Sequence, residues 1–331
     1  MHAIPKNSEV SATHTRSRPE SPLLGSSLSF LALTFLCCIA GLVGPRVSAE
    51  AWPADASGTN IGAGIGSFNS GFEASGLTYH DSYGFLVVGD DGDVAILRDD
   101  GEVSAYQFIG GDFEAIAVKS GTASRAYIAS ENLNAILEIS LSSLSLTGKS
   151  WPLQMPQSGG LGFEGLTYVP ADFAPDSWGA NCCGGFFVAA TQVDSTLRVF
   201  DVDTNAVVES ALGFVATIPT DFSDVSGLHF SAELNLLYVL HDAANRLTVL
   251  TLEGIKMAQY QTPMQTAEEG VVVVPNCEAG TAAVGLADDN GPLVMRYAGL
   301  SAACGISTQS QAVPPAVLWL LMRRSMEFEG T

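Results

Sequence analysis

Residues 163–169 read FEGLTYV: an acid, a small residue, then a short run rich in β-branched and aromatic side chains. The same phrase returns as EASGLTY at 73–79, FEAIAV at 113–118, DVSGLHF at 224–230 and EEGVVVV at 268–274. Its small residues, Gly76, Ala115, Gly165, Gly227 and Gly270, stand 39, 50, 62 and 43 residues apart. Those intervals match the period of a four-stranded propeller blade. The longest contains one insertion, PADFAPDSWGANCCGG, at 170–185.

A second phrase follows each first one: FLVVGDD, AYIASEN, FFVAATQ, LYVLHDA and AAVGLADD, ending at residues 91, 132, 192, 243 and 289. A third follows in turn: VAILRD, AILEISL, TLRVFDV, RLTVLTL and PLVMRYA. These read as the second and third strands of each unit, with weaker fourth strands such as 207–212 and 257–262. The expected fold is all-β, a five-bladed β-propeller of four-stranded antiparallel blades. Six blades, one degenerate, is the alternative. The stretch after Gly270 and the stretch before Phe72 together make one blade-length, so residues 61–68 are expected to supply the outer strand of the last blade. Closing the ring in this way removes free sheet edges.

Composition agrees with a folded, glycine-rich β chain. The 331 residues carry 34 glycines and are 47% hydrophobic and only 15% charged. Acids outnumber bases 35 to 14, a net charge of -21. Such a surface repels phosphate backbones, so nucleic acid is not an expected partner, and cations are.

The first 49 residues read as a signal peptide. Lys6, Arg16 and Arg18 precede an uncharged, largely apolar run at 28–43, and Val47, Ser48 and Ala49 offer small residues for cleavage before Glu50. The run is just short of a membrane span, so no stable span is expected after cleavage. Export makes the remaining chain more acidic, with 33 acids against 10 bases. The expected locations are secreted, periplasmic or at the cell surface. The propeller is assigned to residues 50–305. The tail at 306–331 has a proline pair, a short apolar run and Arg323-Arg324, and partly resembles a PEP-CTERM sorting tail. Four cysteines follow the leader, with no CxxC spacing for zinc. Disulfides are the default in an oxidising compartment, with Cys277 to Cys304 the favoured pair and Cys182 and Cys183 local or unpaired.

The candidate chemistry lies in two acids per blade. In an antiparallel hairpin the start of the first strand lies beside the end of the second. Glu73 and Asp90 are 17 apart, Glu114 and Glu131 17, Asp224 and Asp242 18, and Glu269 and Asp288 19. The third blade offers Glu164 and Gln192. If the first strands surround the axis, Glu73, Glu114, Glu164, Asp224 and Glu269 converge on one mouth of the channel, with Asp90, Glu131, Asp242 and Asp288 just outside them. Two carboxylates about 4 Å apart repel by about 4 kcal/mol at an effective dielectric near 20. Protonation or a bound cation must relieve this. With oxygen ligands only, the hard ion Ca2+ is the expected cofactor.

In this order, and with their second-strand partners, the five phrases resemble the SdiA-regulated family of extracytoplasmic β-propellers over about residues 72–300. The resemblance implies five blades, a distant relation to NHL-repeat proteins, a calcium site and no settled biochemical activity. The cysteine-bearing insertion and Gln192 depart from the pattern and make the third blade the weakest contributor.

Other motifs fall away. Asp201-Val-Asp203-Thr-Asn205 lacks the glycine and glutamate of an EF-hand and reads as a turn. Gly62-Ala-Gly64-Ile-Gly66 has no βαβ setting and reads as flexible lead-in. His80 and His229 read as structural, while His241 beside Asp242 is a weak candidate for a catalytic base. The expected function is a calcium-binding propeller that recognises a small-molecule or protein ligand. The alternative is a calcium-dependent hydrolase of lactonase, esterase or phosphoesterase type, an analogy of architecture alone.

Overall fold

The computed structural model describes residues 50–119, 124–158, 161–179, 181, 184–205 and 213–302. The expected signal peptide at 1–49, the tail at 306–331, Cys182, Cys183 and Cys304 lie outside the described residues. Cys277 is disulfide-bonded.

Twenty strands form five four-stranded antiparallel sheets. Blade I is β2 (Ala74–His80), β3 (Gly84–Gly89), β4 (Asp93–Leu97) and β5 (Val103–Phe108). Blade II is β6 (Phe113–Ala117), β7 (Arg125–Ser130), β8 (Ala135–Ser140) and β9 (Ser145–Pro152). Blade III is β10 (Phe163–Pro170), β11 (Gly185–Thr191), β12 (Thr196–Asp201) and β13 (Gly213–Pro219). Blade IV is β14 (Val225–Ser231), β15 (Leu236–His241), β16 (Arg246–Leu250) and β17 (Lys256–Gln261). Blade V is β18 (Glu268–Asn276), β19 (Thr281–Asp288), β20 (Leu293–Ser301) and, from the other end of the chain, β1 (Thr59–Asn60). The five-bladed propeller is therefore the fold.

Each first phrase is the innermost strand of its blade and is apolar on both faces, because a blade is sandwiched between two others. The core accordingly falls into five clusters, one per blade interface. Leu86 and Val88 of blade I meet Ile116 and Ile128 of blade II. Trp151 of blade II and Phe187 of blade III share a second cluster, Val199 and Val239 a third, and Leu247 and Val284 a fourth. Val272 of blade V meets Phe85 of blade I. The small residues of the repeat let innermost strands approach. A Cβ on Gly76 would lie 2.6 Å from the Ala115 Cα, and one on Gly270 would lie 2.8 Å from the Leu77 nitrogen.

Two details differ from the sequence reading. The fourth strand of blade III is β13, whereas 207–212 lies outside the described residues. Ring closure does join both chain ends in one sheet, but residues 61–68 are not the closing strand. β1 pairs Thr59 with Arg296 and Asn60 with Met295. The glycine-rich stretch that follows is an ordered 3-10 turn, Ala63–Ser67. Its Ile65 is fully buried in the interface of blades V and I; burying this one apolar side chain is what sets the turn. The Asn60 side-chain oxygen accepts the amides of Gly62 at 2.9 Å and Val294 at 3.2 Å. Asn60→Ala is expected to lower stability by about 1–2 kcal/mol, read in urea melts, because two amides lose their acceptor.

The insertion after β10 carries two further 3-10 turns, Ala171–Phe173 and Asp176–Trp178. Phe173 packs edge-on against Phe230, with ring centres 5.6 Å apart, and Trp178 against Phe186 at 5.3 Å. It lies at the far end of the hairpin from the acidic residues, so it lengthens the repeat without disturbing them.

Candidate functional site

Every innermost strand carries a β-bulge at the same place. The register slips between Ala74 and Gly76, Phe113 and Ala115, Phe163 and Gly165, Val225 and Gly227, and Glu268 and Gly270. A bulge leaves one residue unpaired and re-aims its side chain. Those residues are Ser75, Glu114, Glu164, Ser226 and Glu269. Carboxylate oxygens of Glu114, Glu164 and Glu269 all lie within 4.8 Å of one another. Glu114 and Glu164 are buried and Glu269 is half-buried.

Two further tiers surround this trio. The amides of Asp90, Glu131, Gln192, Asp242 and Asp289 donate to the carbonyls of Glu73, Asp112, Gly162, Asp224 and Ala267, at 3.1–3.3 Å. One hydrogen bond repeated in five blades defines the equivalent positions. The outer tier of acids is thus Asp90, Glu131, Asp242 and Asp289, and the tier two residues before the bulge holds Glu73, Asp112 and Asp224. Oxygens of Asp90, Asp112 and Glu114 form a second group within 4.8 Å.

The sequence reading placed all the acids at one mouth, and three of its ring residues, Glu114, Glu164 and Glu269, come together. Glu73 and Asp224 belong one tier further out. Glu73 is exposed at the rim. Asp224 has a left-handed backbone, φ 62°, and its carboxylate accepts the Ala243 amide at 2.7 Å. Asp288 is not in the outer tier. It is fully buried and accepts from the Thr266 hydroxyl, the Ala267 and Asn290 amides and the Asn290 side chain. Asp289 takes its place, and Asp112 joins the acidic set; the sequence reading named neither. Blade III has Gly162 in the intermediate tier, and the Glu131 carboxylate leans over it, 2.3 Å from where a Cβ would lie. His241 lies beneath the mouth, fully buried and edge-on to Phe222 at 5.5 Å. Neither ring nitrogen makes a well-formed hydrogen bond, and burial pushes its pKa down to about 4. A base must reach its proton, and this ring is closed off from solvent.

The electrostatics follow from burial and crowding. Burial, then the charge of Glu164, pushes Glu114 up to about 12. Burial, then Glu131, pushes Glu164 up to about 8. Burial, then Glu164 and Asp289, pushes Glu269 up to about 9. In the outer tier, burial and the charge of Asp224 push Asp242 up to about 6. Burial likewise raises Asp90, Glu131 and Asp289. Two buried carboxylate oxygens beside this network, Glu268 Oε2 and Asp242 Oδ1, have no hydrogen-bond partner. Such acceptors are costly unless something donates to or coordinates them.

A hard divalent cation fits this donor set. All the donors are oxygens. Their 4.8 Å span is no wider than two ligands facing each other across calcium, about 4.8 Å at about 2.4 Å each. Glu114, Glu164 and Glu269 would hold the ion, with Asp90 and Asp112 beside them.

No protein-family model and no curated protein matches the chain. Among solved structures, Kuenenia stuttgartiensis Hydrazine Synthase is similar at 14% identity and a TM-score of 0.38, over 65% of this chain and 55% of that one. The chain thus spans about half the length of that protein. Among the described residues, no helix is long and apolar enough to cross a membrane.

Proposed function

We propose that the chain is an exported calcium-binding propeller, a module that recognises a small-molecule or protein ligand through the acidic mouth. The observation that carries this reading is the trio Glu114, Glu164 and Glu269, three carboxylates from three blades brought together by the same bulge. Calcium would neutralise them and leave coordination positions open towards solvent, where Glu73 and Asp224 form the rim. A ligand bearing a carboxylate, phosphate or carbonyl oxygen could complete the shell. The resemblance of the five phrases to the SdiA-regulated family supports the same reading, as do the leader at 1–49 and the acidic surface. The sequestered His241 weighs against the hydrolase alternative.

Thermal melting with increasing calcium tests the proposal. A hundredfold excess over the dissociation constant is expected to add about 2.7 kcal/mol, and the constant should lie near 10⁻⁴ to 10⁻³ M. Glu164→Gln with Glu269→Gln should abolish that gain while leaving the metal-free protein at least as stable, since each neutral amide replaces a crowded acid. Absence of a calcium shift in the parent protein would sink the reading. An esterase and phosphoesterase panel with and without chelator then separates binder from hydrolase.

A further inference from the structure

At the end of the axis remote from the acids, the final residues of four innermost strands, with Val118 and Lys119 just after β6, line a cavity of about 290 Å³. Its walls mix aromatic and aliphatic side chains, and its polar groups are mixed in kind. The rings of Tyr79 and Tyr168 line it. Lys119 reaches in, its Nζ 5.3 Å from the centre of the Tyr168 ring, and donates to the Thr204 hydroxyl at 2.8 Å. An ammonium has three protons, so it keeps donors for a further partner. The His229 ring also lines it, and burial pushes its pKa down to about 4. The ring is therefore neutral, with one nitrogen a donor and the other an acceptor. Asp81 and Glu233 stand exposed at the edge of the cavity.

Those groups select by exclusion. Two carboxylates against one ammonium disfavour an anion, and the ammonium inside disfavours a cation. The remaining occupant is uncharged, donates to carboxylates and to an imidazole nitrogen, accepts from an ammonium, and has an apolar face to lie against tyrosine. A sugar has all of these properties: vicinal hydroxyls that donate and accept, and C–H faces that pack on aromatic rings. The volume lies at the small end of ligand cavities, about 300–1,000 Å³, the scale of one or two sugar rings. Tyr79 and Asp81 also border a shallower concavity on blade I, with Tyr83 and Arg98, over which a longer glycan can run. We infer that this mouth binds the end of a neutral glycan, with the partly exposed Tyr79 as its stacking wall and Lys119, His229, Asp81 and Glu233 as hydroxyl partners.

Saturation-transfer NMR and calorimetry on the full chain test this with maltose, cellobiose and chitobiose as probes and citrate and choline as charged comparators. At least one disaccharide should bind saturably, and neither comparator should displace it. Asp81→Asn with Glu233→Gln, both at exposed positions, should weaken binding about tenfold or more without moving the melting temperature, and Lys119→Met should also weaken it about tenfold. Chelating divalent metal should leave the affinity unchanged, which separates this site from the acidic mouth. The inference is overturned if none of the disaccharides binds, if citrate competes, if both variants bind like the parent, or if chelation abolishes binding.

Discussion

In a chelating buffer, raising the pH from about 5 to about 8 lowers the melting temperature by on the order of 10 °C, and saturating calcium removes the loss. The folded chain releases the protons of Glu164 and Glu269 at about 8 and about 9, whereas an unfolded glutamate releases its proton near about 4.3. Between those limits the folded state holds more protons than the unfolded one, so stability falls as pH rises. It is highest below the unfolded value and is lost on passing through the folded ones. Calcium binds the ionised carboxylates and competes with protons for the same oxygens, so its own stabilisation grows over the same window. The two slopes have opposite signs. A flat melting profile in chelator, or a calcium shift of equal size at both pH values, would show that Glu164 and Glu269 are not the linked groups.

Gly76→Val should lower stability by about 4 kcal/mol. Even the first added carbon would lie 2.6 Å from the Ala115 Cα and 2.9 Å from the Glu114 carbonyl. These are backbone atoms of the next blade, which no rotamer change can move aside. Relief must come from blades I and II parting, which loosens the packing of Leu86 and Val88 against Ile116. Because Glu114 rides on the displaced strand, calcium affinity should fall together with stability. Gly213→Ala is the matching control: its added carbon would come no closer than 3.7 Å to any neighbour, and a change within about 0.5 kcal/mol is expected. Equal effects at the two positions in urea melts would refute close blade approach as the reason for the repeated small residue.

The blade count and the side of the molecule on which the acids gather were legible in the sequence. Both depend on the small residue of the repeat, whose packing role tolerates little else. The tier of each acid was not legible, because aligning the phrases on their first acid sets Glu73 and Asp224 beside Glu114. The bulge inserts one residue ahead of the small one, and counting back from Gly76, Ala115, Gly165, Gly227 and Gly270 instead would have found Ser75, Glu114, Glu164, Ser226 and Glu269. Asp112 was available by the same count. Asp289 was not, because hairpins of different length separate the two strands and only the amide bond to Ala267 distinguishes it from Asp288. Residues 61–68 misled for another reason: Ile61 and Ile65 are apolar because they plug an interface, not because they alternate along a strand.

Closure by β1 also dictates an order of assembly. Asn60 meets Val294 across 234 residues of sequence, so the segment synthesised first finds its partner nearly last. Until then blade V lacks its outermost strand and the circle has a seam. Contacts this distant make folding slow, and a chain emerging from the ribosome carries β1 unpaired until β20 follows. A circular permutant that carries residues 59–68 directly after β20 should seal sooner and aggregate less during refolding.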